Sequence, residues 1–202
     1  MRGFFGTSRI TLRKSVLDRI LPVPEELVVE ADEYIFTLAP AIAPAQVLNQ
    51  PLFHYRLHEN NQFMIQNEDP VRLRRKQTSL AALVRYLPEA LAKLGVSPEV
   101  IRTVLEPTWV DAERMKLSLD GGKPWQTFAV ERAAYDYSYV NPGLGYRLFK
   151  MLVLGLTLIT PPRGFYRLRR WYAARGLRRL RRVVGEPTPA APVIQGTEAR
   201  LP

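Results

Sequence analysis

Few side chains in this sequence could carry acid–base or metal chemistry. There are two histidines, His54 and His58, and no cysteine. Asp32 stands at the predicted start of a helix. A carboxylate there can serve the helix itself, facing its exposed N–H groups and the positive end of its dipole. It can also act as a general base, because a loop-to-helix junction can face a cleft while the helix fixes the side chain. His54, Arg56 and His58 fall on one face of a predicted strand, with Phe53, Tyr55 and Leu57 on the other. His58 then reads either as a solvated histidine at a strand end or as a contact to a divalent metal or a phosphate. Two imidazoles two residues apart do not make a zinc motif. Gly6, just before Thr7 and Ser8, is a turn residue or a point where backbone can approach a ligand closely. The sequence holds no phosphate loop with a lysine and no dinucleotide fingerprint.

The second chemical signal is charge. The chain carries 29 basic and 19 acidic residues, a formal net charge of +10. From Arg147 to Arg182 there are ten Arg, one Lys and no acid. Without them the remainder is close to neutral, so the basicity belongs to one end. Arg163, Arg167, Arg170, Trp171 and Arg175, then Arg178, Arg179 and Arg182, recur at helical spacing. An apolar run, Leu148 to Ile159, precedes them. A solvated basic helix, a nucleic-acid-binding helix and a membrane-surface helix all fit such a pattern. Nothing else in the sequence resembles a nucleic-acid fold, so the expected partner is an anionic membrane surface. The apolar helix would bury shallowly, Trp171 and the tyrosines would lie at headgroup level, and the arginines would meet lipid phosphates. Each cation near an anionic leaflet is worth about 1 kcal/mol.

These residues must be positioned by local structure. Residues 9–13 alternate as a half-buried strand does. Ser15 to Leu21 reads as a short helix stopped by Pro22 and Pro24, and Ala31 to Ala39 as a second one closed by Pro40. Residues 46–48 and 52–57 read as short strands around the turn Asn49-Gln50-Pro51. Beyond Asn60 the apolar spacing becomes helical: Leu80, Leu83, Val84, Leu87, Leu91 and Leu94, with Pro88 as a kink or restart. Ser97-Pro98 is a helix start, a hydroxyl cap followed by proline. That helix continues past Pro107 to Leu119, before a turn at Asp120-Gly121-Gly122. Trp125 to Tyr139 is helical, and Pro161-Pro162 splits the cationic segment into an apolar leading piece and an arginine–aromatic one. The tail from Glu186 has the composition of a disordered segment.

At 202 residues the chain can bury one good core, and its 47% apolar content argues against general disorder. The absence of cysteine excludes disulfides and thiolate metal sites. The N-terminus turns polar at Thr7-Ser8 without a signal-peptide core, and no stretch reaches the roughly 18 to 20 apolar residues that span a bilayer.

The order of the pieces resembles the C-terminal half of the GT-A catalytic domain of family-2 glycosyltransferases. The residues that carry the likeness begin with Gly6-Thr7-Ser8-Arg9-Ile10-Thr11-Leu12-Arg13-Lys14. They continue with Pro22-Val23-Pro24-Glu25-Glu26, Ala31-Asp32-Glu33-Tyr34 and Pro51-Leu52-Phe53-His54-Tyr55-Arg56-Leu57-His58-Glu59-Asn60-Asn61. Residues 3–61 are covered. The resemblance implies that Gly6, Thr7 and Ser8 form an acceptor-side loop. It implies that Asp32 is the base that deprotonates the acceptor hydroxyl, and that His58 lies near a divalent metal (Mg or Mn) and the nucleotide diphosphate. The family pattern places Glu before the Asp; here Ala31 precedes it and Glu33 follows.

Such enzymes also have a nucleotide-binding half with an Asp-X-Asp motif, and no Asp-X-Asp occurs in these 202 residues. The expectation is therefore a truncated frame or split gene, inactive alone, whose nucleotide-sugar site and metal would come with another chain. The expected fold is α/β, a partial GT-A unit over 1–61, followed by a mainly α-helical extension, with the whole mostly helical. The expected division is 1–61 acceptor side, 62–146 helical, 147–185 membrane surface and 186–202 disordered. The expected activity is sugar transfer from a nucleotide-sugar to an envelope saccharide or lipid-linked acceptor, at the cytoplasmic face of the membrane. The alternatives are a non-catalytic peripheral membrane protein with a basic amphipathic helix, and a basic nucleic-acid-binding helical protein.

Overall fold

The computed structural model describes residues 10–46, 70–138 and 143–174. They form seven helices: α1 (Lys14–Ile20), α2 (Ala31–Ile42), α3 (Pro70–Lys93), α4 (Pro98–Asp120), α5 (Pro124–Ser138), α6 (Leu144–Ile159) and α7 (Pro162–Ala174). Successive helices pack on one another, and α7 returns to lie against α4.

The α/β expectation is overturned: there is no strand among the described residues. Ile10 to Arg13 are irregular chain leading into α1, although their alternation reads as a strand. Alternation supplies a half-buried face but no ladder partner, and an unpaired strand leaves its N–H and C=O groups without bonds. Leu12 instead packs beside α1 and α2 in a helical core. Of the other two strand predictions, only Gln46 is described, and it is not in a strand; the rest lies outside the described residues. The described chain is thus helical where a partial GT-A sheet was expected.

The helix predictions place the elements well but not their ends. α2 runs past Pro40 to Ile42, and α3 and α4 run through Pro88 and Pro107 without interruption. An interior proline removes one backbone bond and crowds the preceding turn, at about 3 kcal/mol. Packing on both sides of each long-helix proline opposes that loss: Leu87 and Leu91 flank Pro88 in the core, and Leu105 and Val110 flank Pro107. α3 also begins ten residues before Leu80, at Pro70. Proline at the first helical position is itself a start signal.

Ser97 caps α4 as its sequence suggests, its hydroxyl oxygen accepting the Val100 N–H at 3.5 Å. The reversal between α3 and α4 is built on Gly95. Gly95 N–H donates to Ala92 O and Val96 N–H to Leu91 O, at 2.9 and 3.1 Å. This pair of bonds closes a helix C-terminus around a left-handed residue, and Gly95 has φ +79°.

Two apolar clusters result. The first joins α1, α2, α3 and the first half of α4, with Ile20, Leu38, Leu83, Leu87 and Leu105 buried. The second joins the later part of α4 to α5 and α7 through Val110, Leu117, Val130, Phe165 and Tyr166. α4 is the wall between them. At its C-terminal end Gly122 has φ +151°, and a Cβ there would lie 2.6 Å from Gln126 Oε1 and 2.8 Å from Leu117 Cδ2. Gln126 Oε1 is committed, since it accepts the Lys123 N–H at 2.7 Å.

Gly122→Ala should therefore lower stability by more than about 1 kcal/mol. Gly143→Ala, where nothing lies within 4 Å of the added Cβ, should stay within about 0.5 kcal/mol of the parent. Urea denaturation of the two variants checks the contrast.

Candidate functional site

Among the described residues a cleft of about 430 Å³ lies where α2, α3, α4 and α7 meet. Its walls differ in charge. On the α2 and α3 side, Glu30 and Glu33 face it with Lys76. On the α4 and α7 side are Asp111, Arg114, Ser118, Tyr166, Arg169 and Arg170.

The second wall is anchored from behind by Glu131 of α5, whose side chain is 6% exposed. Arg114 donates to it as a fork, Nε to Oε1 and Nη2 to Oε2, both at 2.9 Å. Arg169 Nη1 donates to the same Oε1 at 2.7 Å. Burial pushes the Glu131 carboxyl up, but the Arg114 hydrogen bonds and the Arg169 and Arg114 charges outweigh it and hold it below the usual range. Desolvation opposes the charge on Arg114 as well, yet the bond to Glu131 leaves that guanidinium held more firmly protonated than usual. On Arg169 desolvation and the neighbouring Arg114 charge prevail and shift it down. Arg169 is nevertheless 44% exposed, so it faces both its partner and the cleft.

Tyr166 completes this wall. It is 5% exposed, and its hydroxyl has no hydrogen-bond partner of good geometry. Burial, and then the nearby Glu131 charge, push its pKa far up, so it remains a phenol. Arg170 Nη1 donates to Ser118 Oγ at 2.7 Å. On the opposite wall Lys76 Nζ lies 3.4 Å from Glu30 Oε1, and burial raises the Glu30 carboxyl against that cation.

The residues singled out from sequence are distributed as follows. Asp32 is in the first turn of α2, as expected, and is 8% exposed. Its Oδ1 accepts the Glu33 N–H at 3.0 Å, the helix-terminal role its position allows. Asp32 does not line the cleft, but its neighbours Glu30 and Glu33 do. Gly6, Thr7, Ser8 and His58 lie outside the described residues. The same is true of Arg175, Arg178, Arg179 and Arg182. No group of three or more acidic or histidine side chains that could hold a metal ion occurs among the described residues.

Arg163, Arg167, Arg170 and Trp171 are all on α7 and exposed, but two of the arginines also serve the fold. Arg163 Nε donates to Leu119 O at 3.1 Å, meeting one of the unbonded carbonyls at the end of α4, and Arg170 holds Ser118. The apolar piece before them is α6. Leu144, Leu148, Leu152 and Ile159, with Met151 beside them, form one exposed row, Leu152 being 75% and Ile159 79% exposed. The row is about 22 Å long at 1.5 Å per residue. Among the described residues no helix is long and apolar enough to cross a membrane.

Sequence reasoning missed Arg114, Glu131 and Tyr166 as a unit because they come from three helices with no local spacing. One signal was present. Glu131 sits on the stripe formed by Thr127, Val130 and Ala134, an acid on the buried face of an amphipathic helix.

Comparison with protein-family models, curated proteins and solved structures gave no match.

Glu131→Gln should cost about 3–5 kcal/mol, because it removes the negative charge that two guanidiniums share and puts an amide N–H₂ where one of them donates. The Glu131 carboxyl is ordinarily near 4.5 and lower in the fold. Its contribution is therefore complete above 4.5 and lost as pH falls through the lower folded value. The stability difference between parent and variant, followed by denaturant titration against pH, should be flat near neutrality and shrink in acid.

Proposed function

We propose that the chain is the acceptor-side part of a family-2-type sugar-transferring enzyme working at a membrane surface, with the nucleotide-sugar site supplied from elsewhere. The observation that supports the chemistry is the placement of Asp32. It stands at a loop-to-helix junction, its carboxylate accepts the Glu33 N–H, and Glu30 and Glu33, two residues before it and one after, open onto the four-helix cleft. In the proposed reaction Asp32 accepts the proton of an acceptor hydroxyl as that oxygen attacks the anomeric carbon and the nucleotide diphosphate leaves. One Asp32 oxygen is held by the backbone, which leaves the other for the acceptor.

Membrane docking rests on a different observation. The exposed apolar row of α6 is continuous in sequence with the arginines and Trp171 of α7. Burial of each leucine or isoleucine of that row would contribute about 1.5–3 kcal/mol, and each cation near anionic lipid about 1 kcal/mol. Such a surface suits a lipid-linked acceptor at the inner face of the membrane. It equally supports the second reading, a peripheral membrane protein without catalysis.

Two measurements separate them. In membranes from cells that make the chain, label transferred from nucleotide-sugars into the lipid fraction should fall by about 100-fold or more with Asp32→Asn at equal protein level. Unchanged transfer with that variant would reject the base assignment. In vesicle sedimentation the chain should prefer anionic to neutral lipid, more weakly as salt rises. Leu152→Asp with Ile159→Asp should lower binding by more than about tenfold. Equal binding to both vesicle types removes the electrostatic account.

A further inference from the structure

The basic wall of the cleft has hydrogen-bond donors beyond those the fold uses. Arg169 spends Nη1 on Glu131, while no acceptor among the described residues bonds to its Nε or Nη2. The Tyr166 hydroxyl, nine-tenths buried, makes no hydrogen bond of good geometry, with the Glu131 carboxylate as its nearby acceptor. Arg170 is next to Arg169 in sequence and on the same wall. Three guanidiniums, those of Arg114, Arg169 and Arg170, stand there against two carboxylates, Asp111 and Glu131, so the wall carries one cation in excess. Asp111 Oδ1 is 3.7 Å from Arg114 Nη1. Across the cleft Glu30 and Glu33 outnumber Lys76, giving that side the opposite sign.

We infer that the cleft is a binding site for a small phosphate monoester, its phosphate held by Arg169, Arg170 and the Tyr166 hydroxyl. A tetrahedral dianion presents three terminal oxygens to three donor side chains, where a carboxylate presents two. The carboxylates opposite repel a second anion, so the rest of the ligand is neutral or cationic and hydroxyl-bearing. The cleft volume limits it to a small molecule or a single headgroup. Tyr166 is buried against Phe165 in the second apolar cluster, which fixes its ring and leaves the hydroxyl as a preset donor. This site goes beyond the sugar-transfer reading and does not depend on it.

The test is titration calorimetry of the full chain with glycerol 3-phosphate and with inorganic phosphate, beside sedimentation with vesicles containing phosphatidic acid. Arg169→Gln and Tyr166→Phe should each weaken glycerol 3-phosphate binding by about tenfold or more. Arg102→Gln, the same charge change on an exposed residue away from the cleft, should leave it unchanged. Arg169→Gln leaves the Arg114 fork on Glu131 in place, and Tyr166→Phe removes an unbonded hydroxyl, so both variants should fold. Thermal unfolding verifies this, with Tyr166→Phe expected to melt no lower than the parent. If vesicle binding also falls in Tyr166→Phe, a lipid headgroup is a source of the phosphate; if only the soluble ester responds, the ligand is free. No heat with glycerol 3-phosphate at millimolar concentration, together with vesicle binding indifferent to Tyr166→Phe, overturns the site. Equal weakening by Arg102→Gln overturns it too, by reducing the effect to net charge.

Discussion

Glu131 is one carboxylate buried among three helices, and two guanidiniums from different helices converge on it. A lone carboxylate in that position would carry a desolvation penalty of several kcal/mol. Arg114 of α4 and Arg169 of α7 answer it with three charge-assisted hydrogen bonds. The consequence reaches past the ion pairs. α7 is a short helix rich in arginine, and its apolar contribution to the core is Phe165 and Tyr166. The Arg169 bond ties α7 to α5 and, through the Arg114 fork on the same carboxylate, to α4. On the same helix Tyr166 is turned inward, Arg170 meets Ser118 and Arg163 reaches the end of α4. The basic wall of the cleft is built around this shared carboxylate.

α4 makes the arrangement possible by facing two ways. Leu105 and Ala112 belong to the cluster shared with α2 and α3, while Val110 and Leu117 belong to the cluster shared with α5 and α7. A helix with apolar residues on two sides joins two layers instead of closing one. The cleft lies along the seam between those layers, so its polar residues come from four helices. Beyond α5, α6 turns Tyr146 and Thr157 inward and leaves a long apolar row outside. An exposed row of that length on a folded chain is an uncommon feature and marks a surface suited to a partner.

Much of the helical frame was legible in the residues. Ser97-Pro98, Gly121-Gly122 and Pro161-Pro162 mark ends correctly because a cap, a positive φ and a missing N–H are local properties. Internal prolines were misread as boundaries at Pro40 for the same local reason: the sequence shows the lost bond and not the packing that tolerates it. The strand at residues 9–13 failed more fully. Period-two alternation describes which side chains are buried, but a strand exists only with a neighbour, and that requirement is not local.

The sequence by itself determined where helices could start and stop, that the positive charge belongs to one end of the chain, and that Asp32 would open a helix. Each of these depends on neighbours within a few residues. Only the tertiary structure decided that Arg169 faces Glu131 while Arg167 on the same helix remains exposed, that Tyr166 is buried with an unbonded hydroxyl, and that α6 presents its leucines outward. The physical reason is the same in each case. The free energy of a charged or hydroxyl group depends on which groups from distant parts of the chain replace its water, and that choice is made by packing.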